Sequence, residues 1–161
     1  MILVADCSAL IALASCNGLH LLDALFGTVI VPEAVYRESI VSDKPEAQRL
    51  KEFLKDKVRK IDSKSAVLLD GFSDLGETEA MVLYKQCSAD KLLIDDKRRR
   101  RVARINHIST IGSLGVLLAA KQAGLIDRVS PSLAKLVASD MFISADLIAT
   151  VMDLAGEEWP L

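Results

Sequence analysis

The sequence predicts an α/β protein with a parallel sheet covered by helices on both faces, followed by a helical appendage. Three observations carry this. Short, continuously apolar runs alternate with helical stretches up to Gly124, as buried parallel strands require. Two of these runs end directly in acid, at Asp6 and at Asp95-Asp96. From Ser130 onward two amphipathic helices follow with no strand between them. The 161 residues suit one core. With 51% apolar, 26% charged and 4% aromatic residues, the composition is that of a soluble globular protein whose core is built from Leu, Ile, Val and Ala.

Residues 2–5 form the first predicted strand, and Ser8 is a plausible N-cap for a helix over 9–14. Asn17-Gly18 breaks the chain before a short helix over 19–26, and Gly27 opens a second strand over 28–31. Pro32 suits the first position of a helix over 33–40. The charged stretch 44–57 reads as a surface helix, with Leu50 and Leu54 four apart. Residues 58–61 are a weak strand candidate, and 64–73 carry no clear pattern. Gly76 precedes a strong helix over 77–87. Residues 92–94 form a third strand, a basic helix spans 97–105, and 108–111 form a strand leading to Gly112. Ser113 then caps a helix over 114–123, which Gly124 stops. The appendage reads as helices over 131–139 and 145–155.

A net charge of −2 argues against nucleic-acid binding through overall charge and leaves room for a local basic patch. Cys7, Cys16 and Cys87 have neither metal-ligand spacing nor even pairing, which points to a reducing, cytoplasmic setting. With only His20 and His107, a zinc site of the usual kind is not expected. The apolar opening lacks a basic start and contains Asp6, so it reads as strand and helix rather than a targeting segment. No apolar run approaches the length of a membrane span, and no membrane partner is expected.

The chemistry should lie where the acids fall. In open parallel sheets, ligands bind at the carboxyl ends of strands. Asp6 and Asp95-Asp96 are delivered to that rim by separate strands. Helices starting near the rim add Glu33, Glu38, Glu77 and Glu79. Capping and solubility account for Glu33 and Glu77, since acids in a first turn are favoured by the helix dipole, but explain Glu38 and Glu79 less well. Two like charges about 4 Å apart repel by about 4 kcal/mol at an effective dielectric near 20, so a cluster of carboxylates needs a counter-charge. A hard divalent cation, magnesium or manganese, supplies it and points to a phosphodiester substrate.

Lys97, Arg98, Arg99, Arg100, Arg101 and Arg104 follow at once. Such a run is ordinarily a solvated face, and Val102 with Ile105 gives this helix an apolar side. Starting one residue from an expected ligand, Lys97, Arg98, Arg100 and Arg101 are read as contacts to an RNA backbone. Ser8 could cap its helix, orient Asp6 or hold water; Cys7 reads as a small core residue rather than a nucleophile.

Five motif segments and the helical tail bear a family resemblance. Val4-Ala5-Asp6-Cys7-Ser8-Ala9-Leu10-Ile11 resembles the first acidic motif of PIN-domain nucleases, and Val31-Pro32-Glu33-Ala34-Val35-Tyr36-Arg37-Glu38 resembles the second, with its acid at Glu38. Gly76-Glu77-Thr78-Glu79-Ala80 is similar to a Gly-Glu-x-Glu-Ala motif of one branch, among VapC-like toxin relatives. Leu92-Leu93-Ile94-Asp95-Asp96 resembles the last acidic motif. Ile111-Gly112-Ser113-Leu114-Gly115-Val116-Leu117-Leu118 and the paired-helix tail also resemble that branch.

The resemblance implies a three-layer α/β/α sandwich, with residues 1–128 as a PIN-like nuclease domain and 129–161 as a helical extension packed on it. It implies a magnesium- or manganese-dependent endoribonuclease acting on single-stranded or structured RNA. Asp6, Glu38, Glu79 and Asp96 would be catalytic metal ligands, Glu77 and Asp95 alternates, and Ser8 a supporting group. Toxins of this kind are commonly homodimers bound by a small antitoxin. The third motif usually carries aspartate, and here it has two glutamates. Two other readings stand beside this one: a non-catalytic RNA- or protein-binding PIN module, and a phosphatase or receiver-like module with acids at strand ends. The late position of Asp95-Asp96 argues against a receiver.

Overall fold

The computed structural model describes residues 1–41, 43–62, 79–139 and 141–159. Among them run β1 (Ile2–Ala5), α1 (Cys7–Ser15), α2 (Leu19–Phe26), β2 (Thr28–Pro32), α3 (Glu33–Ile40), α4 (Pro45–Leu54) and β3 (Val58–Arg59). Then follow α5 (Glu79–Gln86), β4 (Lys91–Leu93), α6 (Lys97–Ile105), β5 (Thr110–Ile111), α7 (Ser113–Gln122), α8 (Ser130–Ala138) and α9 (Ala145–Ala155).

The strands form one parallel sheet in the order β3-β2-β1-β4-β5. β1 is central, pairing Val4 with Ile30 on one side and with Leu92 on the other. Leu3, Val4 and Ala5 are fully buried, which explains why this strand reads as unbroken apolar sequence. The order advances outward from β1 in both directions. Right-handed crossovers therefore put helices on both faces of the sheet. α1, α3 and α4 pack together, α2 and α7 join α1, and α5 covers β1, β2 and β4. The expected α/β/α layering is thus observed.

Local differences have physical causes. Asp6, not Ser8, is the N-cap residue of α1; Ser8 lies exposed within its first turn. Pro32 ends β2 and serves as the N-cap of α3 rather than its first residue. The stretch expected as a surface helix yields α4, whose Ala47, Leu50 and Leu54 are buried at helical spacing. The edge strands β3 and β5 are two residues each, shorter than the expected 58–61 and 108–111. Ser113 is the first residue of α7 and Gly112 its N-cap. The unpatterned stretch 64–73 and the start of the motif at Gly76 lie outside the described residues.

The two last helices rest on the sheet domain, α8 against α1 and α9 against α7. Glu157 fixes them. Its Oε2 accepts from Lys121 Nζ of α7 at 2.9 Å and from the Val129 amide at 2.8 Å, and its Oε1 from the Ser130 amide at 3.1 Å. Burial alone would raise the Glu157 carboxyl, but the bonds from Val129, Lys121 and Ser130 outweigh it and hold it down at about 2. No single helix among the described residues is long and apolar enough to cross a membrane.

Candidate metal and nucleic-acid site

Strand order places the site. The succession of strands reverses at β1, so the crevice outside the carboxyl ends of β1 and β4 is a topological switch point. Ala5 lies opposite Leu93, and the Asp6 amide donates to the Leu93 carbonyl at 2.9 Å. Asp6 and Asp95-Asp96 therefore leave neighbouring strands at the same end.

Each carboxylate has a defined surrounding. Asp6 is 5% exposed, and its Oδ2 accepts from Arg99 Nη1 at 2.7 Å. A buried carboxylate needs such a cation. Asp95 is half-buried and held by α7: Oδ1 accepts from the Ser113 amide at 2.7 Å and Oδ2 from Ser113 Oγ at 2.8 Å. Asp96 is exposed and caps α6, its Oδ1 accepting from the Arg99 amide at 2.9 Å. Arg99 thus joins two acids, one through its side chain and one through its backbone.

Glu79, in the first turn of α5, reaches the start of α3, where Oε2 accepts from the Ala34 amide at 3.3 Å. An acid at a helix N-terminus is favoured by the helix dipole. Glu38 is exposed on α3 and electrostatically close to Cys7. Burial raises the Cys7 thiol, the Ser39 hydroxyl bonded to its sulfur lowers it, Glu38 and Asp6 raise it further, and Arg99 lowers it. Cys7 is thus a protonated core thiol rather than a nucleophile. Glu77 lies outside the described residues.

The fold brings Asp6, Asp95 and Asp96 to one rim, with Glu38 and Glu79 on helices beside it. It does not draw them into a cage: among the described residues, no three His, Cys, Asp or Glu side chains are grouped to hold a metal ion. Their chemistry fits a hard divalent cation, being carboxylate oxygen throughout. The Arg99 guanidinium already stands as the cation that buried Asp6 requires.

The basic run divides. Lys97, Arg98, Arg101 and Arg104 are exposed, whereas Arg100 is half-buried with Nη2 donating to the Asp95 carbonyl at 3.3 Å. Cations in the first turn oppose the helix dipole, which favours anions there. Sequence reasoning missed the Arg99–Asp6 pair and the Ser113–Asp95 pair, each joining residues distant in the chain. The local signals were an arginine close after a strand-end acid and a serine after Gly112.

A family model described as a PIN domain matches residues 2–157. No curated protein matches the chain.

Proposed function

The chain belongs to the PIN-domain family, a family of nucleases, and from that premise we propose that it is a metal-dependent endoribonuclease hydrolysing RNA phosphodiester bonds. The observation that carries the reading is the convergence of buried Asp6 with Asp95 and Asp96 at the switch point of the sheet, beside the basic first turn of α6. Magnesium or manganese would be held by Asp6 with Glu38, Glu79 and Asp96, and Glu77 and Asp95 are alternate ligands. When bound, the cation supplies Lewis-acid polarisation and charge neutralisation at the phosphodiester.

The chain's own groups do the rest. Lys97, Arg98 and Arg101 attract and hold the RNA backbone. Ser113 fixes Asp95, and Ser8, exposed two residues after Asp6, is placed to orient substrate or water. A cytoplasmic toxin, dimeric and neutralised by a small antitoxin, is the biological setting we propose; a neighbouring gene for a short antitoxin-like protein would support it.

One observation favours a second reading, a non-catalytic RNA- or protein-binding PIN module: Asp6, Asp95, Asp96 and Glu79 each accept a hydrogen bond from protein. Incubation with several single-stranded RNAs and manganese, alongside Asp6→Asn, decides between them. We expect cleavage by the wild type alone. Cleavage by neither protein sinks the nuclease reading in favour of the binding module, and equal cleavage by both exposes a contaminant and refutes the assigned role of Asp6.

A further inference from the structure

Asp6 already holds a protein cation where the ribonuclease reading puts a metal ion. The Arg99 Nη1 that donates to Asp6 Oδ2 belongs to a side chain 23% exposed, while the Asp6 side chain is 7% exposed. The Arg99 backbone is fixed in the first turn of α6, its amide donating to Asp96 Oδ1. The side chain thus runs from the exposed rim, where Lys97, Arg98 and Arg101 lie, to a buried acid. Cys7 feels the charges of Glu38, Asp6 and Arg99 together, so the guanidinium stands in the neighbourhood of two expected ligands.

A buried carboxylate needs a counter-charge, and a guanidinium answers that need as well as a metal ion does. The two together on one carboxylate repel each other, so they compete for it. A guanidinium released from its acid needs another anion. On this rim an RNA strand brings one, since phosphate oxygens match the planar fork of arginine. The part-exposed side chain of Arg99 leaves it a way out to solvent.

We propose that Arg99 is an exchangeable cation of the site: it neutralises Asp6 in the metal-free protein and turns outward to a phosphate oxygen of the RNA when a divalent ion takes that carboxylate. Metal and RNA are then coupled through one side chain. A metal at Asp6 raises RNA affinity by freeing Arg99, and by linkage RNA raises metal affinity. The inference deepens the ribonuclease reading and rests on it for the metal and the substrate. It adds to Lys97, Arg98, Arg100 and Arg101 a backbone contact that exists only in the metal-loaded protein.

Calorimetric titration with manganese alone should show Arg99→Met binding the ion about tenfold more tightly than wild type, the lower range for loss of a competing charge-assisted hydrogen bond. Fluorescence anisotropy of a single-stranded RNA oligonucleotide across a salt series reads the other half. Each phosphate contact contributes a slope of roughly 0.7 in log affinity against log salt. In calcium, with the oligonucleotide's length checked on a gel, Arg99→Met should lose roughly that slope, and in EDTA it should match wild type. Asp6→Ala frees Arg99 without any metal. In EDTA it should gain roughly 0.7 over wild type, and adding Arg99→Met to it should restore the wild-type slope. That pair carries the test if Arg99→Met alone does not fold. Equal manganese affinity in wild type and Arg99→Met, or no gain of slope in Asp6→Ala, overturns the proposal. An equal loss of slope in EDTA and in calcium also overturns it, making Arg99 a constant backbone contact. The expected slopes without any RNA cleavage would leave the Arg99 assignment standing and remove the nuclease; Asp6-dependent cleavage with unmoved slopes would do the reverse.

Discussion

Arg99 holds the charge of Asp6, and its removal leaves that carboxylate buried without this cation. Breaking such a pair from one side costs about 3–5 kcal/mol when both partners are buried; with the Arg99 side chain 23% exposed, Arg99→Met should cost about 2–3 kcal/mol. A divalent cation should take over the role. Melting curves with and without manganese should show Arg99→Met gaining more from the metal than wild type does; equal gains would mean that guanidinium and metal do not compete for Asp6. Gly112 argues similarly for Asp95. A Cβ there would lie 2.9 Å from Asp95 Oδ1, which Ser113 holds in place. Gly112→Ala should cost roughly 1–2 kcal/mol by crowding. We expect a larger proportional loss in RNA cleavage, measured as kcat on one oligonucleotide, because the carboxylate must leave its position.

At the scale of the element, α6 is the informative helix. Its cap, Asp96, and its first-turn cations belong to one rim, and its buried side, Val102 and Ala103, anchors it. Exposed Lys97, Arg98 and Arg101 can be changed without disturbing that anchor. Each lost phosphate contact lowers the slope of log affinity against log salt by roughly 0.7 for a single strand. Replacing all three with alanine should therefore flatten the slope by roughly 2, as read by fluorescence anisotropy across a salt series. A full slope in the triple variant would move the RNA path away from α6. α5 shows the contrasting case. Its Glu79 was legible as an acid in a first turn, but its bond to the Ala34 amide joins two helices far apart in the chain, and only their packing shows it.

Across the whole molecule, Glu157 joins the last helices to the sheet domain. Its carboxyl, held at about 2 against an ordinary 4.5, makes the chain acid-sensitive. A depressed folded value means that the stabilisation is complete above about pH 4.5 and lost as pH falls through about 2. Glu157→Gln should cost roughly 2–3 kcal/mol at neutral pH. Urea unfolding of the two proteins should differ by that amount at pH 7, converge below about 4.5, and coincide once both carboxyl states are neutral. A constant difference down to low pH would show that Glu157 acts by shape rather than charge.

The sequence by itself determined the parallel sheet, the strand-end positions of Asp6 and Asp95-Asp96, and the basic start of α6. These follow from short-range patterns: unbroken apolar runs, period-3.6 helices, and acids placed next to both. It named the acids but not their surroundings. Tertiary structure decided that β1 and β4 are neighbours, that Arg99 answers Asp6, and that Ser113 serves Asp95 rather than simply capping a helix. The physical reason is range. Periodicity and capping act within a turn or two of chain, whereas a buried charge is satisfied by whatever donor the fold brings to it, and Asp6 meets its donor 93 residues away.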